Sequence, residues 1–256
     1  MPYCPANGIQ LYYEVHGDGP PVVFVHGAGG NHASWFRQTL AFAVSHRVIV
    51  YDQRGFGNSR DPEKRGRSAM VDDLAALLDH LKIERTVLVA QSLGGGTSAG
   101  LTVRDPRRVA GLALCDTLVA MRLPPDVVAT MEDVQKRTTG LPQTIRVLGP
   151  KTRERHPDMA LLYTELASFN AYNVANMPGM FAGVEVAALA ATGVPILYVV
   201  GSDDILYPPD CVRRVQALVP NSTLVEIPGV GHSAYFEDFV TFNRHLAAFL
   251  ERICRT

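Results

Sequence analysis

The sequence has little cysteine and no excess of either charge, and each shortage closes off a class of function. Four cysteines, Cys4, Cys115, Cys211 and Cys254, are scattered over 256 residues without a CxxC pair. That distribution offers neither a disulfide framework nor a zinc site. Cys115 lies in an apolar run and reads as a small core residue. Lysine and arginine number 24 against 25 aspartates and glutamates, a formal net charge of -1. No basic field is therefore available for nucleic acid or an anionic membrane surface. No stretch approaches the roughly 20 apolar residues that cross a bilayer. Met1 to Asn7 lacks the basic flank and apolar region of a secretory signal, so a cytoplasmic location is expected. Dinucleotide fingerprints and metal clusters are missing too, and Gly94-Gly95-Gly96 lacks the lysine of a phosphate loop. The expected partner is a small molecule, with no cofactor and no metal.

What is present is a chain of single-domain length, with 47% hydrophobic residues to fill one large core. Short β-branched runs are followed by helical patterns, the signature of a mostly parallel sheet covered on both faces. The strands expected are Ile9 to Val15 at an edge, Pro21 to Val25, Arg47 to Tyr51, Thr86 to Val89, Val109 to Cys115, Val194 to Val200 and Ser222 to Ile227. Helical spacing runs from about Ala33 to Ser45 and from Ser68 to Leu81, and a last amphipathic helix carries Phe236, Phe239, Phe242, Leu246, Phe249 and Leu250. From Leu118 to Gly193 no strand-like run occurs, only helical segments broken at Pro124-Pro125, Gly140-Leu141-Pro142, Gly149-Pro150 and Pro178-Gly179. A structureless loop of that length would be anomalous. The expectation is a helical cap, 119–193, inserted in a core formed by 1–118 and 194–256. Five of the seven methionines fall there and, with Leu162, Phe169, Tyr172 and Phe181, would make an adaptable apolar ceiling. Arg146, Arg153 and Arg155, set among Lys151, Glu154 and Asp158, read as a solvated face.

Ser92 stands where the strand Val87-Leu88-Val89-Ala90-Gln91 runs into Leu93-Gly94-Gly95-Gly96 and a helix. This resembles the nucleophile elbow of the α/β-hydrolase superfamily, in which a strained turn exposes a serine between small neighbours. Ala90 stands where that family's G-x-S-x-G pattern has its first glycine, and Gly94 keeps the second. The resemblance extends to His26-Gly27-Ala28-Gly29-Gly30 after the first buried strand. By that similarity, the backbone N–H groups of Ala28 and Leu93 form the oxyanion hole. It extends also to Asp52-Gln53-Arg54-Gly55-Phe56-Gly57-Asn58-Ser59, a turn that the family uses structurally, which makes Asp52 a poor catalytic acid.

A nucleophilic serine needs a base, and the base needs an acceptor that fixes its tautomer. His232 follows the last strand in Gly229-Val230-Gly231-His232, whereas His80 and His245 lie in helical patterns and His16 beside an early turn. His26 reads as a local hydrogen-bonding residue. For the acid, Asp116, Asp203 and Asp204 all end strands. The family pattern G-x-x-D, read from Gly201, selects Asp204, with Asp116 the alternative that some relatives use. The order Ser92, Asp204, His232 matches the family's order of serine, acid and histidine.

The resemblance therefore implies an α/β fold, a mostly parallel doubly wound sheet of about eight strands, carrying a serine hydrolase for small or medium carboxylic esters. A serine at 92 argues against haloalkane dehalogenases and epoxide hydrolases, which resemble this fold but use aspartate there. Lactonase, cofactor-free perhydrolase and C–C bond hydrolase share the same triad. A small-ligand sensor of the same fold is the alternative outside catalysis.

Overall fold

A computed structural model describes residues 2–254; the terminal residues 1, 255 and 256 of the expected core lie outside the described residues. The chain opens with two strands, β1 (Tyr3–Ala6) and β2 (Ile9–His16), joined at Asn7-Gly8. Both turn residues have positive φ, 45° and 86°, the conformation that favours an Asn-Gly hairpin. The sheet continues with β3 (Pro21–Val25), β4 (Arg47–Tyr51), β5 (Thr86–Gln91) and β6 (Val109–Cys115). Two short strands follow, β7 (Met121–Arg122) and β8 (Val184–Glu185), and then β9 (Ile196–Gly201) and β10 (Ser222–Ile227). The main sheet has eight strands in the order β1-β2-β4-β3-β5-β6-β9-β10. The β1–β2 and β2–β4 pairs are antiparallel and all the others parallel.

Helices cover both faces: α1 (Phe36–Phe42), α2 (Met70–His80), α3 (Leu93–Arg104), α4 (Pro125–Thr138), α5 (Gln143–Val147), α6 (Pro150–Arg155), α7 (Pro157–Ser168), α8 (Val186–Ala191), α9 (Pro209–Gln216), α10 (Ala234–Glu237) and α11 (Phe239–Cys254). Every residue of β5 is buried, because alternate side chains enter two different cores. Leu88 and Ala90 pack with Leu74 and Leu77 of α2, while Val87 and Val89 pack with Trp35, Phe242 and Phe249. Residues following the carboxyl ends of β3, β5, β6, β9 and β10 consequently meet along one edge. Among the described residues no helix is long and apolar enough to cross a membrane.

The structure corrects four details of the expected order. Ile9–His16 is not the edge strand, since β1 pairs outside it; the Asn-Gly turn carried that information, and Pro5 suits a strand with a free side. The expected helix from Ala33 to Ser45 divides into a 3-10 turn, His32–Trp35, and α1. The Asn31 side chain caps that turn by accepting from Ala33 N–H at 3.1 Å. The final pattern breaks at Asp238, so Phe236 belongs to α10 rather than α11. Between Leu118 and Gly193, β7 and β8 do pair, Met121 with Val184 and Arg122 with Glu185, in a ladder too short to leave a periodic pattern. The prolines in this stretch act as helix starters: α4, α6 and α7 each begin on one, where the missing N–H costs nothing.

Candidate active site

Ser92 occupies the turn between β5 and α3 at φ 46° and ψ -113°. A non-glycine residue held at positive φ stores on the order of 1–3 kcal/mol, which its surroundings must offset. Three hydrogen bonds hold the turn: Ser92 N–H donates to Cys115 O at 3.0 Å, and Ser92 O accepts from Thr117 Oγ1 at 2.7 Å and from Gly95 N–H at 2.8 Å. The helix can start this close to β3 only because residue 94 has no side chain. A Cβ there would stand 2.3 Å from the Val25 carbonyl oxygen.

The hydroxyl of Ser92 meets Nε2 of His232 at 2.9 Å, and Nδ1 of the same ring meets Asp204 Oδ2 at 3.0 Å. With a carboxylate at Nδ1, that nitrogen donates and leaves Nε2 to accept the serine proton. The other oxygen of Asp204 accepts from the N–H groups of Leu206 (2.7 Å) and Tyr207 (3.0 Å), which fixes the carboxylate plane. The Tyr207 ring stacks on the imidazole at 5.6 Å between centroids. Burial works against the imidazolium of His232, yet the charge and hydrogen bond of Asp204, supported by Asp116 and Glu237, outweigh it, and the pKa rises above 6.5.

Asp116, the alternative acid, is fully buried and spends both oxygens on backbone N–H groups, Gly201 at 2.9 Å and Ala234 at 3.1 Å. Burial, with the nearby charge of Asp204, pushes its carboxyl up to about 8. Asp203 bonds to Ser202 Oγ instead. Asp52 is tied to its own turn, accepting from the N–H groups of His32 (2.7 Å) and Asn58 (2.8 Å). His26 donates from Nδ1 to Gly27 O and accepts at Nε2 from Gln53 N–H. Burial lowers its pKa to about 4, so it stays neutral. Ala28 and Leu93 flank Ser92 in the same cavity, and among the described residues their backbone N–H groups donate to nothing.

The cavity over Ser92 has two adjoining lobes, of 510 and 530 Å³, which share Ala28, Ser92 and Arg146. A larger groove of 660 Å³, beside Arg107 and Arg108, lies at the amino ends of the strands and contains none of these groups. The first lobe is mainly apolar, with Leu93, Val119, Met131, Val134 and Met177 on its wall. The second is mainly polar, with Gln135, Gln143, Asn173, Tyr163 and His232. Of the expected methionine ceiling, Met131 and Met177 face the cavity, whereas Met180 and Phe169 are exposed to solvent. Arg146 does not belong to a solvated face with Arg153 and Arg155: α5 turns it into the cavity, and its buried Nε has no hydrogen-bond partner.

Three further residues were invisible to motif reading. Gln91 donates from Nε2 to His232 O at 2.8 Å, holding the histidine loop from the strand beneath Ser92. Glu237 accepts from Gly231 N–H at 2.8 Å and from Gly149 N–H at 2.7 Å, joining that loop to the start of α6. Arg67 reaches the cavity wall and donates to the carbonyl of Met177 at 2.9 Å. A glutamine before the serine and a glutamate five residues after the histidine are the only local signals, and neither forms a pattern by itself. Among the described residues no group of three His, Cys, Asp or Glu side chains could hold a metal ion.

Three solved structures share this architecture. A thermophilic esterase from Thermogutta terrifontis superposes with a TM-score of 0.79 at 27% identity, covering 98% of both chains. Est816, an N-acyl homoserine lactone degrading enzyme, gives 0.82 at 28% identity over 97% of this chain and 100% of its own. The enol-lactonase from Burkholderia xenovorans LB400 gives 0.76 at 25% identity over 98% and 100%. The family described as alpha/beta hydrolase fold matches residues 20–239, a span that holds the elbow, the turn after β9 and the histidine loop. With sheet order, motif order and that match in agreement, the chain belongs to the alpha/beta hydrolase fold family.

Proposed function

We propose that this protein is a serine hydrolase that cleaves small or medium carboxylic esters through an acyl-enzyme. The observation that carries this reading is the unbroken hydrogen-bond chain Ser92–His232–Asp204, at 2.9 and 3.0 Å, beneath a cavity edged by two unused backbone donors. In the first step His232 Nε2 takes the proton from Ser92 Oγ as the oxygen bonds to the ester carbonyl carbon. The carbonyl oxygen becomes anionic and is received by the N–H groups of Ala28 and Leu93. One such donor is worth about 3–4 kcal/mol in the transition state of a comparable hydrolase. The imidazolium then passes its proton to the alcohol oxygen, the C–O bond breaks, and the alcohol leaves. Water, deprotonated by the same nitrogen, repeats the sequence on the acyl-enzyme and restores Ser92. Asp204 keeps Nδ1 protonated and balances the imidazolium charge.

The segment 119–193 is read as a cap over this machinery, inserted in a core of 1–118 and 194–256. Two lobes of 510 and 530 Å³ suit a small or medium substrate better than a long lipid chain. Lactone hydrolysis is the second reading, because it needs the same steps and two of the similar structures named above are a lactone degrading enzyme and an enol-lactonase.

A panel of 4-nitrophenyl esters and simple lactones tests both readings. Acetate and butyrate esters should be cleaved faster than the palmitate ester, and a fluorophosphonate probe should label Ser92. Unimpaired hydrolysis by Ser92→Ala would overturn the mechanism.

A further inference from the structure

Arg146 faces the cavity with donors that the protein does not use. It comes from α5 and lines both lobes beside Ser92. Its Nε is closed off from solvent without a hydrogen-bond partner, and among the described residues no acceptor bonds to its other nitrogens. Arg67, the other arginine on the wall, is occupied by the carbonyls of Met177, Gly179 and Val174. Glu132 lies in the apolar lobe only and forms no ion pair with Arg146. In the polar lobe Arg146 is therefore the one permanent charge, surrounded by the neutral amides of Gln135, Gln143 and Asn173.

A guanidinium cannot shed its proton, so the lobe carries a fixed positive charge. A buried Nε without a partner is costly. The terminal nitrogens of Arg146, which bond to no protein acceptor among the described residues, are open to an acceptor brought by the substrate. The planar fork of arginine matches a carboxylate in geometry as well as in sign. One charge among neutral amides balances a monoanion and leaves a phosphate dianion half compensated. We propose that the substrate carries a free carboxylate, held by Arg146 in the polar lobe while an apolar portion fills the other. The substrate class is then an anionic ester or lactone rather than a neutral one. This inference rests on the serine hydrolase reading for its chemistry, but not for the binding of the anion.

Two matched pairs test it, one with the charge on the acyl side and one with it on the alcohol side. These are 4-nitrophenyl hemiglutarate against 4-nitrophenyl valerate, and butyryl glycolate against butyryl glycolamide. In at least one pair the anionic member should be preferred, and Arg146→Gln should lower its kcat/KM on the order of 10- to 100-fold. The neutral member should lose several-fold less than its anionic partner, and Arg146→Lys should recover part of the difference. Equal loss on both members of each pair, or no loss on either anionic ester, overturns the proposal. If the native protein cleaves none of the four, the hydrolase reading fails and binding decides the carboxylate site. Monomethyl glutarate should then raise the melting temperature of the native protein and not that of Arg146→Gln. No rise in the native protein would overturn it.

Discussion

The floor of the cavity and its ceiling are built on opposite terms. On the floor, Ser92, Asp116 and Asp204 sit in strand-end loops tied by hydrogen bonds to backbone, and the carbonyl of His232 accepts from the Gln91 side chain. The ceiling comes from α4 to α7 and the segment after them, where Leu161, Phe169 and Met180 are 60%, 71% and 81% exposed. Val134 and Thr138 of α4 line the cavity. Chemistry that depends on tenths of an ångström sits on the rigid part, as preorganisation demands. Under the proposed function, selection of substrate shape falls to the part with fewer constraints, where side chains of different length can be exchanged without disturbing the sheet.

The sharpest way to break this comparison lies within the floor itself. Asp204 and Asp116 are both buried carboxylates at strand ends, but only Asp204 touches the imidazole. Asp204→Asn should lower kcat by about 10⁴, because the amide no longer selects the productive tautomer. Asp116→Asn should cost less than about tenfold in kcat and roughly 1–3 kcal/mol in stability, since one backbone N–H loses its acceptor. Steady-state kinetics beside urea denaturation separates the two, and a reversal of roles would reassign the acid.

Those residues could be found in the sequence because chain order and strand ends are local facts. A β-branched run followed by a glycine turn places a residue at the carboxyl edge whatever else surrounds it. The family pattern points to Asp204 rather than Asp116, and the two differ in their partners, Asp204 bonding to His232 and Asp116 to backbone N–H groups. Arg146 takes on the look of a solvated residue only when grouped with the charged stretch 151–158, and nothing in the five residues of α5 reveals which way the helix faces. The first strand, four residues long, leaves no periodic pattern, and the Asn7-Gly8 turn is its one local sign. Gln91 and Glu237 act across gaps of 141 and 88 residues, respectively, in their bonds to His232 and Gly149. Pairings of that kind are created by the fold and have no spacing to read.

Glu237 is one of the places where floor and ceiling are joined, and the one that touches the His232 loop, so it tests whether they are independent. Replacing it by alanine frees the N–H of Gly231, next to the base, and that of Gly149, at the start of α6. Misplacement of the imidazole should reduce kcat by up to about 10²-fold. Labelling of Ser92 by a fluorophosphonate should slow in parallel, with the far-ultraviolet circular dichroism unchanged. Full activity in Glu237→Ala would mean that the histidine loop is held by Gln91 and the sheet alone.

A smaller effect is expected from pH. In the proposed mechanism His232 accepts the proton only when Nε2 is neutral, and the net influence of burial opposed by Asp204 raises its pKa above 6.5. Because a raised pKa keeps the ring protonated to higher pH, kcat/KM for a neutral ester should rise through a midpoint above 6.5. Removing the negative charge with Asp204→Asn should move the residual activity's midpoint downward. A midpoint below 6.5 in the native protein would show that burial, not the carboxylate, governs the ring.

The smallest effects belong to the ceiling, and two methionines there set the comparison most finely. Met131 lines the apolar lobe, while Met180 is almost wholly in solvent. Deleting the Met131 side chain should lengthen the lobe and shift the preference from butyrate toward hexanoate esters. A gain of about 1 kcal/mol per accommodated methylene would be several-fold in relative kcat/KM. Met180→Ala removes contacts with water rather than with protein, so stability should stay within about 0.5 kcal/mol and the chain-length profile should not move. The pair is read best as a ratio, hexanoate over butyrate, since that cancels any difference in the amount of active enzyme. If both substitutions shift the ratio equally, the ceiling moves as one body and its exposed side takes part in selection. If neither shifts it, chain length is set by the floor, and the division of labour between the two regions fails.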